Sequence, residues 1–161
     1  MSDARPLTPG ETDLARSMFG DSVDYAPVRI VLGKWAFFQP RDVVMSPRGS
    51  IHFHPHGTAY RDDFSHADLG TQGLFIHEMT HVWQHQSGIF LPLQRVPWAR
   101  YAYSVRPGWP LHKYGIEQQA EIVRHTFLIS RGGLFAGAPP LSQLQTILPF
   151  MPSHPGDHGV A

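Results

Sequence analysis

His77-Glu78-Met79-Thr80-His81 sets two imidazoles four residues apart with a carboxylate between them. On an α-helix, residues i and i+4 differ by about 6 Å of rise and about 40° of rotation, so both rings can face a single ion. Glu78, three residues before His81, stands about 60° round the helix, near enough to hold a water on that ion without ligating it. In this composition an H-E-x-x-H string arises by chance about 0.02 times. The competing reading, three polar residues on a solvated helix face, fits poorly because the other side of the helix is apolar: Phe75, Met79, Val82 and Trp83 share it. A zinc ion that does chemistry takes three protein ligands and keeps one position for water. The spacing therefore predicts a Zn2+ centre on His77 and His81, with Glu78 as general base and a third ligand from elsewhere.

His85 is four residues beyond His81 but about 12 Å along the axis from His77, too far to share the ion. The longer pattern H-E-x-x-H-x-x-G-x-x-H is absent, since Gln84 and Ser87 stand where its glycine and last histidine would be. Of the four glutamates, Glu11, Glu78, Glu117 and Glu121, only the last two lie downstream of His81. They are four apart and so share a helical face, and spacing alone leaves open which of them binds.

The elements that must carry these residues can be read from pattern. Apolar periodicity predicts a helix from about Leu69 to Gln86, with Gly88 just past its end, and a second from Ile116 to Arg131, stopped by Gly132-Gly133. Glu11–Phe19 and Leu141–Leu148 read as shorter helices, and the pattern places another around Trp98–Ser104. Val28–Leu32, Asp42–Met45 and Ser50–His54 read as strands of a small, mostly antiparallel sheet. Residues 1–10 and Pro149–Ala161 read as a loose arm and a loose tail. At 161 residues, the chain is expected to form one domain.

Composition narrows the function further. Lys+Arg and Asp+Glu are both 13, so the balanced charge argues against nucleic acid or an anionic membrane as partner. There are no cysteines, which excludes disulfides, thiolate zinc sites and a thiol nucleophile. No stretch approaches a membrane span and the first residues do not read as a signal peptide, giving the expectation of a cytoplasmic protein or one exported by another route. His52, His54 and His56 alternate as on a strand face, but neither H-x-H-x-D-H nor a cupin pattern follows, so an exposed strand beside the site is the better reading.

Leu74–Gln84 around the H-E-x-x-H, followed by Tyr114-Gly115-Ile116-Glu117-Gln118-Gln119-Ala120-Glu121, resembles the gluzincins, and more narrowly small bacterial minigluzincin-type proteins labelled as Rhs- or Vgr-related. The similarity is strongest over residues 50–131. In gluzincins a downstream helix carries E-x-x-x-D, whose first acid binds zinc and whose second orients the first motif histidine. The resemblance thus implies Glu117 as third ligand and Glu121, in place of the usual Asp, as the carboxylate behind His77. It also implies a secretion-apparatus partner and export by a contact-dependent system.

The expected whole is an α+β, zincin-like domain whose sheet packs on an active-site helix and a third-ligand helix. It would act as a metallopeptidase on a peptide or protein substrate: zinc lowers the pKa of its water from 15.7 to about 7 and Glu78 takes the proton. Tyr101, Tyr103, Tyr114, His112 and His125 are available to stabilise the oxyanion. Tyr114 and His125, one turn either side of the acidic pair, are the leading choices. The alternative is a non-catalytic, zinc-containing accessory module, which would have no use for Glu78.

Overall fold

The computed structural model describes residues 3–89, 101–133 and 136–150. Its elements are β1 (Asp3–Pro6), α1 (Pro9–Phe19), β2 (Arg29–Leu32), β3 (Ile51–Phe53), α2 (Leu69–Gln86), α3 (Ile116–Ser130) and α4 (Leu141–Ile147), with 3₁₀ turns at Phe64–His66 and Leu111–Lys113. The class is α+β, as expected, and the two long helices fall where the periodicity placed them. Among the described residues no helix is long and apolar enough to cross a membrane.

The sheet differs from expectation. Its order is β1-β2-β3, with β1 antiparallel and β3 parallel to β2, so it is mixed rather than mostly antiparallel. Residues 3–6 are not a loose arm but an edge strand, its pattern largely exposed and its Pro6 tolerated because it lies at the edge. Asp42–Met45 is not a full strand. Only Met45 bridges to His52, through Met45 N–H to His52 O at 3.1 Å and His52 N–H to Met45 O at 2.8 Å. β3 is thus the last strand of the sheet, its far side covered at one point by that bridge, and Ile51–Phe53 is mostly buried rather than the exposed strand foreseen there. Trp98–Ser104 is not a helix in its described part, as residues 101–104 carry no regular structure, and residues 98–100 lie outside the described region. In the supposed tail, Phe150 is buried against Phe19 and Trp83, with ring centroids 5.0 and 5.4 Å away; residues 151–161 lie outside the described region.

Three features fix α2 in place. A run of rings, Phe53 to Phe64 at 5.4 Å and Phe64 to Phe75 at 5.5 Å, joins the sheet to the apolar side of α2. All three are essentially fully buried, each removing enough apolar surface to contribute about 2 to 3 kcal/mol. On the opposite side α3 comes close at Gly73, where a Cβ would stand 3.0 Å from Leu128 Cδ2. Asp68 caps the helix start, accepting from Thr71 N–H at 3.1 Å and from its hydroxyl at 2.6 Å.

Glu11, the glutamate outside the chemical pattern, is fully buried and satisfied by four donors. Arg5 contributes two at 2.8 and 3.1 Å, Thr8 N–H one at 2.9 Å and Phe64 N–H one at 3.0 Å. It ties β1, the capping box of α1 and the turn before α2 together. Glu11→Ala is predicted to cost about 3 to 5 kcal/mol, because Arg5 and two backbone donors lose their acceptor together. Urea denaturation would check this, and a loss under 1 kcal/mol would contradict it.

Candidate metal centre

α2 lies between the aromatic run and α3, so its polar face is buried too: His77, Glu78 and His81 are 6%, 4% and 2% exposed. This rules out the solvated-face reading. From α3, Glu117 meets them at 2% exposure, and its Oε2 lies 3.2 Å from His77 Nε2 and 3.2 Å from His81 Nε2. Among the described residues, His77, His81 and Glu117 form one group whose ligand atoms could hold a metal.

The donor set fits a small divalent cation. Bonds of about 2.0 to 2.1 Å at tetrahedral angles set ligand atoms about 3.3 Å apart, close to the separations seen here. The hydrogen bonds behind the rings point the same way. His81 Nδ1 donates to Gln84 Oε1 at 2.8 Å, while Gln84 Nε2 donates to Ile116 O and to Gln119 Oε1, both at 3.0 Å. With Nδ1 engaged by Gln84, His81 turns its Nε2 toward the Glu117 oxygen. His77 likewise has Nδ1 facing Glu121 Oε1 at 3.5 Å, leaving Nε2 for the centre. Lone pairs converging on a carboxylate oxygen call for a cation between them. A proton can serve in its stead. Burial pulls the His77 imidazole down, but Glu117 and Glu121 outweigh it and hold it up at about 9, while Glu117 is kept well below the usual carboxylate range against its burial by His77 and His81.

Glu121 thus stands behind His77, and it is itself held. His125 Nε2 lies 3.3 Å from its Oε2 and Arg124 Nη1 3.3 Å from its Oε1. Tyr103 in turn donates its hydroxyl to His125 Nδ1 at 2.6 Å. Of the candidate oxyanion donors, His125 is therefore engaged behind the centre. Tyr114 is buried in the core, its ring against Trp109 and its hydroxyl accepting from Arg106 N–H at 3.0 Å. His112 is exposed on the 3₁₀ turn at Leu111–Lys113. Tyr101 is the one over the site, its ring stacked on His77 with centroids 6.1 Å apart and planes at 22°, and it is 50% exposed.

A cavity of about 240 Å³ opens above His77 and Glu78, walled by Val43, Val44, Tyr101 and Arg124. A second, of about 600 Å³, lies beyond Tyr101 and is lined by Tyr103, Val105, His125, Pro139 and Gln143 among others. Ser46, buried two residues beyond the wall residue Val44, donates its hydroxyl to Glu78 Oε2 at 2.6 Å. His54 and His56 pair with each other, ring centroids 5.7 Å apart, and belong to no metal-competent group among the described residues. His85 lies beside Gly49, away from the centre.

Sequence reasoning missed Ser46, Gln84 and Gln119 as parts of the site. Gln84 alone carried a local signal, three residues after His81 on the same helix, where a side chain can reach back to a histidine. Gln84→Ala is predicted to weaken zinc binding about 10- to 100-fold, since it frees His81 to rotate and unties α2 from α3. Competition with a chromophoric chelator would measure the loss, and unchanged affinity would remove Gln84 from the centre.

No protein-family model matches the chain. The type VI secretion system spike protein VgrG2b of Pseudomonas aeruginosa is 46% identical over 134 residues, covering 77% of this chain. The chain spans only 13% of that curated relative's length. Among solved structures, the effector domain of Pseudomonas aeruginosa VgrG2b superposes with a TM-score of 0.75 at 39% identity, covering 89% of this chain and 83% of that one. With that identity over most of both chains, this protein belongs to the family of the VgrG2b effector domain.

Proposed function

We propose that the chain is a zinc-dependent peptidase of zincin-like, gluzincin type, acting as an effector of a type VI secretion apparatus. The observation that carries the reading is the convergence of His77, His81 and Glu117 with the Glu78 carboxylate buried beside them. Zinc held there would supply a Lewis acid and bring the pKa of water to about 7. Glu78 is placed to take the proton of the attacking water and to return it to the leaving amine. Glu121 and Gln84 hold the two imidazoles in the orientation that ligation needs.

The substrate in this reading is an extended peptide. Asp42–Val44 lines the cleft next to the single bridge at Met45, so it is the stretch of backbone to which a peptide strand could add. Tyr101, between the two cavities and over His77, takes the role of oxyanion donor in place of Tyr114 and His125. The accessory-module alternative is less well supported. A zinc kept for stability is normally closed by four protein ligands, and among the described residues three converge.

The test is digestion of an unbiased peptide library by the zinc-loaded protein and by the same protein after chelation, with new termini read by mass spectrometry. Zinc-dependent cleavage is expected. A fully loaded, folded protein that leaves the library intact would return the accessory-module reading.

A further inference from the structure

We infer that Ser46 is the positioning residue of the general base, an inference that rests on the role proposed for Glu78. Ser46 and Glu78 are 2% and 4% exposed, and the 2.6 Å bond from Ser46 Oγ to Glu78 Oε2 is short and charge-assisted. The Ser46 hydroxyl has one proton to give and gives it to Oε2, which in this inference leaves Oε1 as the oxygen offered to the attacking water. The terminal torsion of a glutamate is soft, with a broad two-fold profile, so nothing in the side chain itself would fix which oxygen is presented or at what angle.

The backbone that carries Ser46 is held on every side. Met45, immediately before it, makes both bonds of the bridge to His52, and Pro47, immediately after, is buried. Gln39, itself 3% exposed, accepts from Trp35 N–H at 2.8 Å and donates to Val43 O at 2.8 Å and His52 O at 2.9 Å, clamping the crossover onto β3. The hydroxyl is therefore presented by a rigid support rather than by a free loop. The same stretch, residues 42–44, forms the wall of the cleft. Substrate wall and partner of the base are thus one piece of backbone, and a peptide seated on that wall is automatically in register with Glu78.

The experiment compares zinc-loaded wild type, Ser46→Ala, Ser46→Cys, Ser46→Thr and Glu78→Gln in the 161-residue chain. Three quantities are measured: zinc affinity, acetohydroxamate affinity by calorimetry, and kcat and KM on a cleaved library peptide. A hydroxamate binds as its anion after giving its proton to the neighbouring base, so its affinity reports how that base is held without requiring turnover. Ser46→Ala is expected to keep zinc affinity and KM, to lose roughly 10-fold in kcat or more, and to bind acetohydroxamate correspondingly more weakly. Ser46→Thr, which keeps the hydroxyl, is expected to restore both. Ser46→Cys, a weak donor of similar size, is expected to lose both if the Ala variant does not fold. A weakened Glu78→Gln beside unaffected Ser46→Ala and Ser46→Cys would overturn the role of Ser46 alone. Zinc affinity falling in step with the rest, unrescued by Thr, would make Ser46 a structural residue and overturn it as well. Hydroxamate affinity unchanged in Glu78→Gln would remove the base itself and the inference with it.

Discussion

Glu78→Gln is expected to retain zinc and to lose peptide hydrolysis by roughly 10²- to 10⁴-fold, the span that one positioned acid–base group contributes. The substitution suits the site. Glu78 accepts from Ser46 at Oε2, and an amide can present its carbonyl oxygen there while keeping the volume of a side chain that is 4% exposed. The proton-accepting oxygen is then replaced by an NH₂ group that has no lone pair to offer. Because His77, His81 and Glu117 are untouched, elemental analysis should still find one zinc per chain. Equal activity in wild type and variant would sink the assignment of Glu78, and loss of zinc with activity would make it part of the metal's support.

The second large effect is a contrast between two acids one turn apart on α3. Glu117→Ala is expected to empty the centre, since Glu117 Oε2 is the atom both Nε2 atoms face at 3.2 Å. Glu121→Ala removes only the carboxylate 3.5 Å behind His77 Nδ1, and a loss of about 10- to 100-fold in affinity is expected. Glu121 also engages Arg124 and His125, so its removal takes an acceptor from each of them. Zinc titration of both variants against a competing chelator measures the contrast. A larger loss in Glu121→Ala than in Glu117→Ala would reverse the two roles.

The parts of this arrangement that were legible beforehand are those encoded locally. A helical period of 3.6 residues brings His77 and His81 together whatever the rest of the chain does, and it puts Glu117 and Glu121 on one face. Period alone could not choose between those two acids. The gluzincin resemblance pointed to Glu117, and the distances across the helix pair agree with it as the converging group. Ser46 was illegible because its partner is 32 residues away and a lone serine between Met45 and Pro47 has no period to betray it. β1 was hidden by its polarity and by Pro6 and Pro9, features that an edge strand tolerates and a sequence reader takes for coil. The bridge at Met45 had the opposite fate: its neighbours Val43 and Val44 look like a strand, yet the crossover between β2 and β3 uses them as the lip of a cleft.

The amide chain from His81 through Gln84 to Gln119, continued by Gln119 Nε2 donating to Tyr114 O at 2.8 Å, fastens α2 to α3 without any ion taking part. Gly73 seats the same two helices against each other further along. The two helices that carry the candidate ligands are thus joined by bonds of the chain itself, whereas in zinc fingers metal and fold come together. Loading becomes an equilibrium on a finished scaffold, and occupancy follows the free zinc concentration around the protein relative to its dissociation constant. If the chain is the zinc peptidase proposed above, the expected consequence is activity that follows the metal supply of its surroundings rather than any step of folding.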